Sequence, residues 1–579
     1  MNSVKEKINI FLHSKPGKIL LTILSLIPAV AAVAIALYYI WGPGEGYLHA
    51  DCTDTLYWAN ASVESGHVFD ETYRYAGLLP FSAALWMIPL IKIFGFSMAA
   101  QNLGMSIFVI LFACSVWFFC RSAKMGTGWC SAAVFAVMMT ASSSEKLLEI
   151  MYGHTIYYSL SLPIMCFCLG FALRAFDCFE RKSDIKGALW LVALAAMCAG
   201  AATDGGQVIV IGSLPAVAAI FAERIFCGKD RLFSRRSCNS WLALCAAATG
   251  TLAGIVLLSH WKGDTISSGY ATAYSGWSEI STWVSNAQSF VKQWYTLMGV
   301  TLSKDGLFCK EAIPSIIRIF CSTVILLIPL LMLVFYGKLS SRGVKTALWG
   351  HLVISAAVMF GFICGKLSGA NWRLTPIVCS AALLSLLGAR ELCVAGKNTS
   401  ARQEAISEVE NAACDGVAAS RVLIRTGVLL TAVLCLMSVM VFNEIRKMPA
   451  DYGRDNYNHI NAEFIESKGL EYGYATFWNC QTITLLSDSS VKCREIMTSV
   501  SKGVYTDYYQ SSRRWYVGQD YDRYFVLLSD SELNNVYATS TWLEWTSEYL
   551  LESYTVDDGL AEGYNLFVFS VNVLEFTVN

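Results

Sequence analysis

The chain has 579 residues, of which 55% are hydrophobic and 15% charged. Ordinary soluble domains carry about 25% charged residues, so this composition excludes a soluble enzyme, a disordered hub and a nucleic-acid binder. At roughly 20 apolar residues per crossing, the sequence supplies about ten membrane spans and leaves roughly 300 residues for loops and domains.

Apolar runs suited to spanning helices fall, in chain order, at 19–41, 102–120, 129–144, 155–175, 187–202, 206–223, 241–259, 316–336, 347–364, 373–389 and 424–442. The first is too long for the apolar core of a signal peptide and lacks an A-x-A site, so it is expected to stay as an anchor. The run at 80–95, PFSAALWMIPLIKIFG, is short and contains Pro89 and Lys92. Charge decides whether it crosses. If it lies on the outer face, the segments expected in the cytoplasm are the N-terminus, 121–128, 174–186, 224–240, 337–346 and 390–423 with Arg425. They hold 23 of the 33 Lys/Arg outside the tail, against 13 if 80–95 crosses. Cytoplasmic loops carry the excess of Lys and Arg. The expected arrangement is therefore eleven spans, a cytoplasmic N-terminus and a juxtamembrane helix over 80–95 in the outer interface.

The outer face then receives 42–101, 145–154, 260–315, the hairpin tips at 203–206 and 365–372, and the tail 443–579. The net charge of −1 conceals an asymmetry that agrees with this. From Asn443 onward there are 10 Lys/Arg against 20 Asp/Glu, while the rest of the chain has 33 against 24. The cytoplasmic stretch 390–423 has no strong period and reads as a mobile linker. In the tail, a helix over 455–468, a strand at 473–478, a helix at 479–487 and strands at 491–496, 523–530 and 565–572 predict an extracytoplasmic α/β domain. It shows no Gly-rich phosphate loop, metal-spaced Cys/His set or nucleophile elbow, so it reads as an accessory module to the membrane domain 1–442. Most of the 20 cysteines sit in apolar runs, where they act as small hydrophobes. Cys480 and Cys493 are free to pair if the tail meets an oxidising compartment.

The first outer loop, YLHADCTDTLYWANASVESGHVFDETYRYAGLLPF, carries the chemistry best. Asp51 and Asp54 are three apart and share one face of a helix. A carboxylate at the membrane–water boundary can take a proton from a hydroxyl beside a lipid-borne substrate. The competing reading is an aspartate that caps a helix. Trp58, Gly66, Tyr73 and Tyr75 follow before the short helix begins at Leu79-Pro80, and Tyr75 joins the residues expected to touch substrate.

An N-terminal span, an early outer Asp, a Trp-Ala pair, a Gly about fifteen residues later and a Pro-led short helix ending in FG resemble the GT-C superfamily. These integral-membrane glycosyltransferases include protein O-mannosyltransferases and lipid A aminoarabinose transferases. The likeness covers roughly 50–125 well and the later spans in outline. It implies that the early Asp is the general base and that the short helix is juxtamembrane. The usual acidic neighbour after that Asp is Cys52 here, and the paired prolines of the short helix are reduced to Pro80. Spacing to Gly66 favours Asp51, and Asp54 remains a candidate.

The second outer segment, SSSEKLLEIMYGHT, supplies Glu145, Glu149 and His154. Glu149 and His154 lie among Tyr152, Tyr157 and Tyr158 at a depth where charge is costly. With Asp51 they are candidate ligands of Mg²⁺ or Mn²⁺, which favour hard oxygen donors. Asp204, in ATDGGQ, stands at a hairpin tip that resembles the family's TKG-type hairpin with Asp in place of Lys. Arg373, in NWRLTP, resembles the R-x-x-P entry of a late span, where the family's Arg meets the donor phosphate. A guanidinium suits a phosphate through paired charge-assisted bonds, and it also suits lipid headgroups generally. Lys262 and Lys366 are further candidates for that duty. Trp261, Tyr270, Tyr274, Trp277, Trp283, Trp294 and Tyr295 in the long loop fit either sugar stacking or an interfacial belt.

These residues predict a multi-pass protein of the cell membrane that moves a sugar from a polyprenyl-phosphate donor to a glycan, lipid or protein hydroxyl, with inversion. The alternatives are a surface-polysaccharide polymerase or ligase, and a non-enzymatic transporter or flippase. A transporter predicts mid-span charges and an internal repeat, and the sequence shows neither.

Overall fold

In a computed structural model, ten helices among the described residues are long and apolar enough to cross a bilayer. The described residues are 14–227, 235–265, 276–301, 309–366, 369–407, 415–450 and 455–576. The chain is a helical polytopic membrane protein with a C-terminal sheet domain. The first span is α1 (Lys15–Ile40), followed by the outer-loop helix α2 (Ala50–Ser65) and the short helix α3 (Leu85–Phe94). The remaining spans are α4 (Met98–Ser122), α6 (Tyr157–Glu180), α7 (Asp184–Thr203), α8 (Gly206–Ile225), α9 (Arg235–Lys262), α11 (Ile313–Val334), α12 (Arg342–Cys364), α13 (Thr375–Ser407) and α14 (Asp415–Lys447). The amphipathic helix α10 (Trp283–Leu297) lies between α9 and α11.

The eleventh expected span, 129–144, is α5 (Thr127–Thr140), which is 14 residues long. At 1.5 Å per residue it covers about 21 Å, short of the roughly 30 Å hydrocarbon core. It packs inside the bundle against α1, α4, α13 and α14, and protein rather than lipid surrounds most of its length.

Two helix pairs explain how the bundle closes. Helices α7 and α9 approach until a Cβ on Gly254 would meet the Ala199 carbonyl oxygen at 2.1 Å, and one on Gly250 the Ala195 oxygen at the same distance. Small residues four apart allow such backbone contact in a membrane. Helices α13 and α14 form the other pair, and here the expected mobile linker is corrected. The stretch 390–423 is helical through Ser407 and again from Asp415, with 408–414 outside the described residues. Its Ala, Arg, Gln, Glu and Lys are good helix formers. The Ser420 hydroxyl donates to the Gly396 carbonyl at 2.7 Å and also meets the Ser400 hydroxyl.

The loops sort into two ends of the bundle. At one end Lys124 pairs with Asp177 at 2.9 Å, Arg342 with Glu223 at 3.0 Å and Arg390 with Glu391 at 2.6 Å. At the other end lie α2, the 145–154 turn, the 203–206 tip, the 371–374 turn and the C-terminal domain. The short helix begins with a π-turn, Pro80–Ala84, and continues as α3, too short to cross and with Leu85, Ile93 and Phe94 exposed.

The tail folds as α15 (Tyr457–Ser467), β1 (Tyr472–Thr476), α16 (Phe477–Leu486), β2 (Lys492–Ser499), β3 (Gly503–Tyr505), β4 (Tyr524–Ser529), α17 (Asp530–Val536), α18 (Ser540–Glu548), β5 (Leu550–Tyr554) and β6 (Tyr564–Phe569). All four expected strands are present, and β3 and β5 join them in a sheet of order β3-β2-β1-β4-β6-β5. β1 runs parallel to β2 and β4, with Tyr474 opposite Arg494 and Val526, while the outer pairs are antiparallel. One face, with Ala475, Phe525 and Leu527, packs on α15 and α16. The other, with Tyr472, Tyr474 and Val526, shares an aromatic core with Tyr57, Trp58, Tyr73 and Tyr75 of the first outer loop. Arg514 reaches Asp70 at 2.6 Å, and Tyr73 forms a β-bridge with Ser512. The tail is thus fused to the loop rather than appended to the bundle. Cys480 and Cys493 are buried free thiols.

Candidate active site

After α1 the chain makes a tight turn, Pro43–Tyr47, and enters α2 with His49 at the N-cap and Asp51 in the first turn. Exposed helix N-H groups favour a negative charge there. The helix ends at Gly66, whose φ of 74° is open to glycine at no steric cost. Asp51 is half-buried and makes no side-chain hydrogen bond or ion pair with any described residue. Asp54, one turn on, is buried. Its Oδ1 accepts from Nε2 of Gln510, a residue of the C-terminal domain, at 2.8 Å. The Gln510 Oε1 accepts the Trp58 indole N-H at 2.7 Å. An indole N-H only donates, so it fixes which way the Gln510 amide points.

Gln510 is itself held. Its N-H donates to the Arg74 carbonyl at 3.0 Å, and its carbonyl accepts from Gln481 at 3.2 Å. Gln481 Oε1 in turn accepts the Thr53 hydroxyl at 2.8 Å. Tyr508 and Gln510 have φ of 55° and 50°, a left-handed backbone that non-glycine residues adopt at some cost. Such a conformation persists where the surroundings over-determine it. Burial pushes the Asp54 carboxyl well above the ordinary range, and the charge of Asp51 adds to this, while Gln510 and His49 pull it back.

Glu149 is the hub of the second segment. Its Oε1 lies 3.4 Å from His49 Nε2 and 3.7 Å from His154 Nε2, an ion-pair distance too long for a hydrogen bond in the second case. Its Oε2 pairs with Lys146. Burial raises this carboxyl, but the two histidines and the lysine outweigh burial and hold it below the usual range. Burial lowers His49, yet Cys52 and Glu149 overcome that and push it up to about 11. Gln101 of α4 ties the two segments, donating to the Cys52 carbonyl at 2.8 Å and the Gly153 carbonyl at 3.0 Å. A cavity of about 30 Å³ lies beside them, lined among others by Glu45, Cys52, Gln101, Asn102, Glu149 and Tyr152.

The same cluster leads to Arg373. Lys146 Nζ stands 5.4 Å from the centre of the Trp372 ring, a cation–π contact. Arg373, next in sequence, donates from Nη1 to the Gly361 carbonyl at 2.9 Å and lies against the Tyr158 hydroxyl. Among the described residues its Nε is buried without a partner. Lys366 is exposed near this turn, on a strand-like pair with Gly276, and Lys262 is exposed at the end of α9. Tyr270 and Tyr274 lie outside the described residues. Trp294 is buried and donates to the Ser322 carbonyl at 3.3 Å.

Two candidates sit in the framework of the fold. Both oxygens of Asp204 accept backbone N-H groups of the short helix, from Phe81 at 2.7 Å and Ser82 at 2.9 Å. Burial pushes its carboxyl up to about 7 against the pull of those bonds. Tyr75 is buried, and its hydroxyl accepts the Asp70 N-H at 2.9 Å. The proposed ligand set of Asp51, Glu149 and His154 does not assemble. Among the described residues no group of three or more His, Cys, Asp or Glu is placed to hold a metal. Glu149 faces His49, Lys146 and His154 instead.

His49, Gln481 and Gln510 carry this geometry without having stood out in the sequence, and Lys146, which reads there as an interface-anchoring charge beside Glu145, pairs with Glu149. His49 had a usable signal, two residues before Asp51. Gln510 had none.

Among solved structures the chain is similar to ArnT from Cupriavidus metallidurans bound to undecaprenyl phosphate, with a TM-score of 0.50 at 11% identity over 97% of this chain and 99% of that one. The chain has a GT-C fold. It is also similar to the archaeal oligosaccharyltransferase AglB from Archaeoglobus fulgidus, in complex with an inhibitory peptide and a dolichol-phosphate, at a TM-score of 0.44, 10% identity and 88% and 70% coverage of the two chains. No family model and no curated protein matches the chain. In this GT-C fold the free carboxylate of Asp51, the Glu149 cluster and the Arg373 turn occupy the same end of the bundle as the sheet domain. That end carries a half-buried carboxylate, an acidic side chain set among two histidines and a lysine, and a guanidinium.

Proposed function

We propose that the chain transfers a sugar from a polyprenyl-phosphate donor to an acceptor hydroxyl, inverting the anomeric carbon, on the outer face of the cell membrane. The observation that carries this reading is the likeness to ArnT over nearly the whole of both chains, in a structure that binds undecaprenyl phosphate. The count of Lys and Arg in the loops supports a cytoplasmic N-terminus and a site end on the outer face.

In the proposed reaction Asp51 takes the proton of the acceptor hydroxyl as its oxygen attacks the anomeric carbon. The bond from that carbon to the phosphate oxygen breaks on the opposite side. Arg373, with Lys262 and Lys366 as lesser candidates, neutralises the departing lipid phosphate. Asp54 is pushed toward its neutral form by burial and is held by Gln510, so Asp51, which has no such bond to a described residue, is the member of the pair proposed as the base. A phosphate is a competent leaving group, and positioning with charge neutralisation supplies much of the barrier lowering.

The test is transfer in proteoliposomes supplied with polyprenyl-phosphate sugars. Asp51→Asn should reduce turnover by roughly 10²–10⁴-fold, the range of general-base catalysis, with donor lipid still bound. Turnover at the wild-type rate in both Asp51→Asn and Asp54→Asn would remove the base. Transfer from diphosphate donors alone would favour the polymerase or ligase reading.

A further inference from the structure

The C-terminal domain presents one group that the reaction above leaves unused. Every residue of α16 is described, and Trp478 alone is exposed, at 56%. A single exposed aromatic is ordinary on a protein surface. What distinguishes this one is how it is braced and what it faces. Phe477 supports it edge-on with ring centres 5.2 Å apart, and Phe477 is braced in turn by Tyr509 at 4.9 Å. The helix is anchored to α2 through Gln481, whose side chain holds Thr53 and whose carbonyl accepts the Tyr57 hydroxyl at 3.4 Å. The Trp478 ring stands 6.5 Å from the ring of His49, two residues before Asp51.

We propose that Trp478 is the stacking platform for a carbohydrate acceptor, so that the hydroxyl brought to Asp51 belongs to a sugar ring. This rests on the transfer reaction proposed above. A pyranose has an apolar C–H face and a rim of hydroxyls. The indole would take the face, and the rim would meet the polar groups beside it, of which His49 lies 6.5 Å from the indole, pairs with Glu149 at 3.4 Å and precedes Asp51 by two residues. A peptide acceptor that pairs by strand addition needs a free sheet edge. α16 follows β1, whose two edges are filled by β2 and β4. A lipid tail needs continuous apolar surface, and among the described residues of α2 and α16 no other large apolar side chain is exposed.

The experiment is binding of the full-length protein in nanodiscs to an array of immobilised oligosaccharides, with an array of Ser- and Thr-containing peptides beside it. The wild type and Trp478→Phe should bind a subset of glycans. Trp478→Ala should lose that binding by roughly tenfold or more, as for an aromatic contact removed from a site. Tyr537→Ala, which removes another exposed aromatic of the same domain, should bind as the wild type does. Absence of glycan binding by the wild type, unchanged binding by Trp478→Ala, or a loss confined to the peptide array would overturn the proposal. Because the readout is binding, a failure here leaves the transfer reaction to be judged separately on the Asp51→Asn turnover.

Discussion

Helices α7 and α9 meet through glycine and alanine, whereas α2 meets the C-terminal domain through amides, hydroxyls and an indole. The first contact has backbone against backbone, with Gly254 lying over the Ala199 carbonyl and Gly250 over that of Ala195. Its stability comes from dispersion and close fit, and it says little about where any polar atom points. The second is a chain of directed bonds from Thr53 to Gln481, from Gln481 to the Gln510 backbone, and from the Gln510 amide to both Trp58 and Asp54. Buried polar groups are costly unless paired, and a fully paired set specifies one arrangement. The bundle contact therefore holds the scaffold, and the domain contact holds the carboxyl pair.

The comparison breaks most visibly at Gly254. A leucine there cannot be housed beside a carbonyl that a bare Cβ would already meet at 2.1 Å. Gly254→Leu should cost about 3 kcal/mol or more, the upper range for overpacking. Size-exclusion profiles and thermal melts in detergent would show loss of monodisperse protein or a large fall in Tm. An unchanged melt would mean that the two helices do not meet there.

A smaller and more selective effect is expected at Gln510. Gln510→Leu leaves the Trp58 indole and Asp54 without their partner, a loss of about 1–3 kcal/mol for buried polar groups. If the bond positions the pair, kcat should fall by roughly 10–100-fold with KM for the donor lipid nearly unchanged. Gln510→Glu separates the two halves of the contact, because it can still accept from Trp58 but offers no N-H to Asp54. Wild-type kcat in Gln510→Glu would show that the Asp54 bond does not matter to turnover.

These two sites also mark what a sequence can and cannot display. Ten of the eleven apolar runs fall on helices long and apolar enough to cross, because burial in lipid leaves a length signature that needs no partner. Helix α5 escaped that rule because protein surrounds it, so its 14 residues suffice. The Asp51–Asp54 pair was legible from its one-turn spacing, and the domain's strands from their apolar alternation, except the three-residue β3 and the exposed edge β5. The continuation of α13 to Ser407 was not legible, since a helix of polar residues has no apolar stripe and is recognised by its partner, α14. Gln510 lies 456 residues from the carboxylate it holds. Its role comes from a left-handed loop conformation and a domain contact, and neither leaves a local pattern.

Asp204 stands between the two kinds of contact, a polar lock within the membrane bundle, and it predicts the smallest change. Its two oxygens hold the first N-H groups of the juxtamembrane turn. Its carboxyl sits at about 7 because it is buried, against about 3.9 for an exposed aspartate. The folded chain therefore keeps this proton in a range where the unfolded chain has lost it. From pH ~4 to ~7 the unfolded state binds fewer protons, so this group's contribution to stability falls as pH rises, and above that range it is flat. Asp204→Asn removes the titration while keeping one acceptor oxygen for the turn. The difference in Tm between pH 5 and pH 7.5 should shrink in the variant by about 2 °C, from roughly 2–3 kcal/mol set against the large unfolding entropy of a chain this long. An identical pH slope in the two proteins would place Asp204 in water rather than under the short helix, and the lock would have to be sought in another residue.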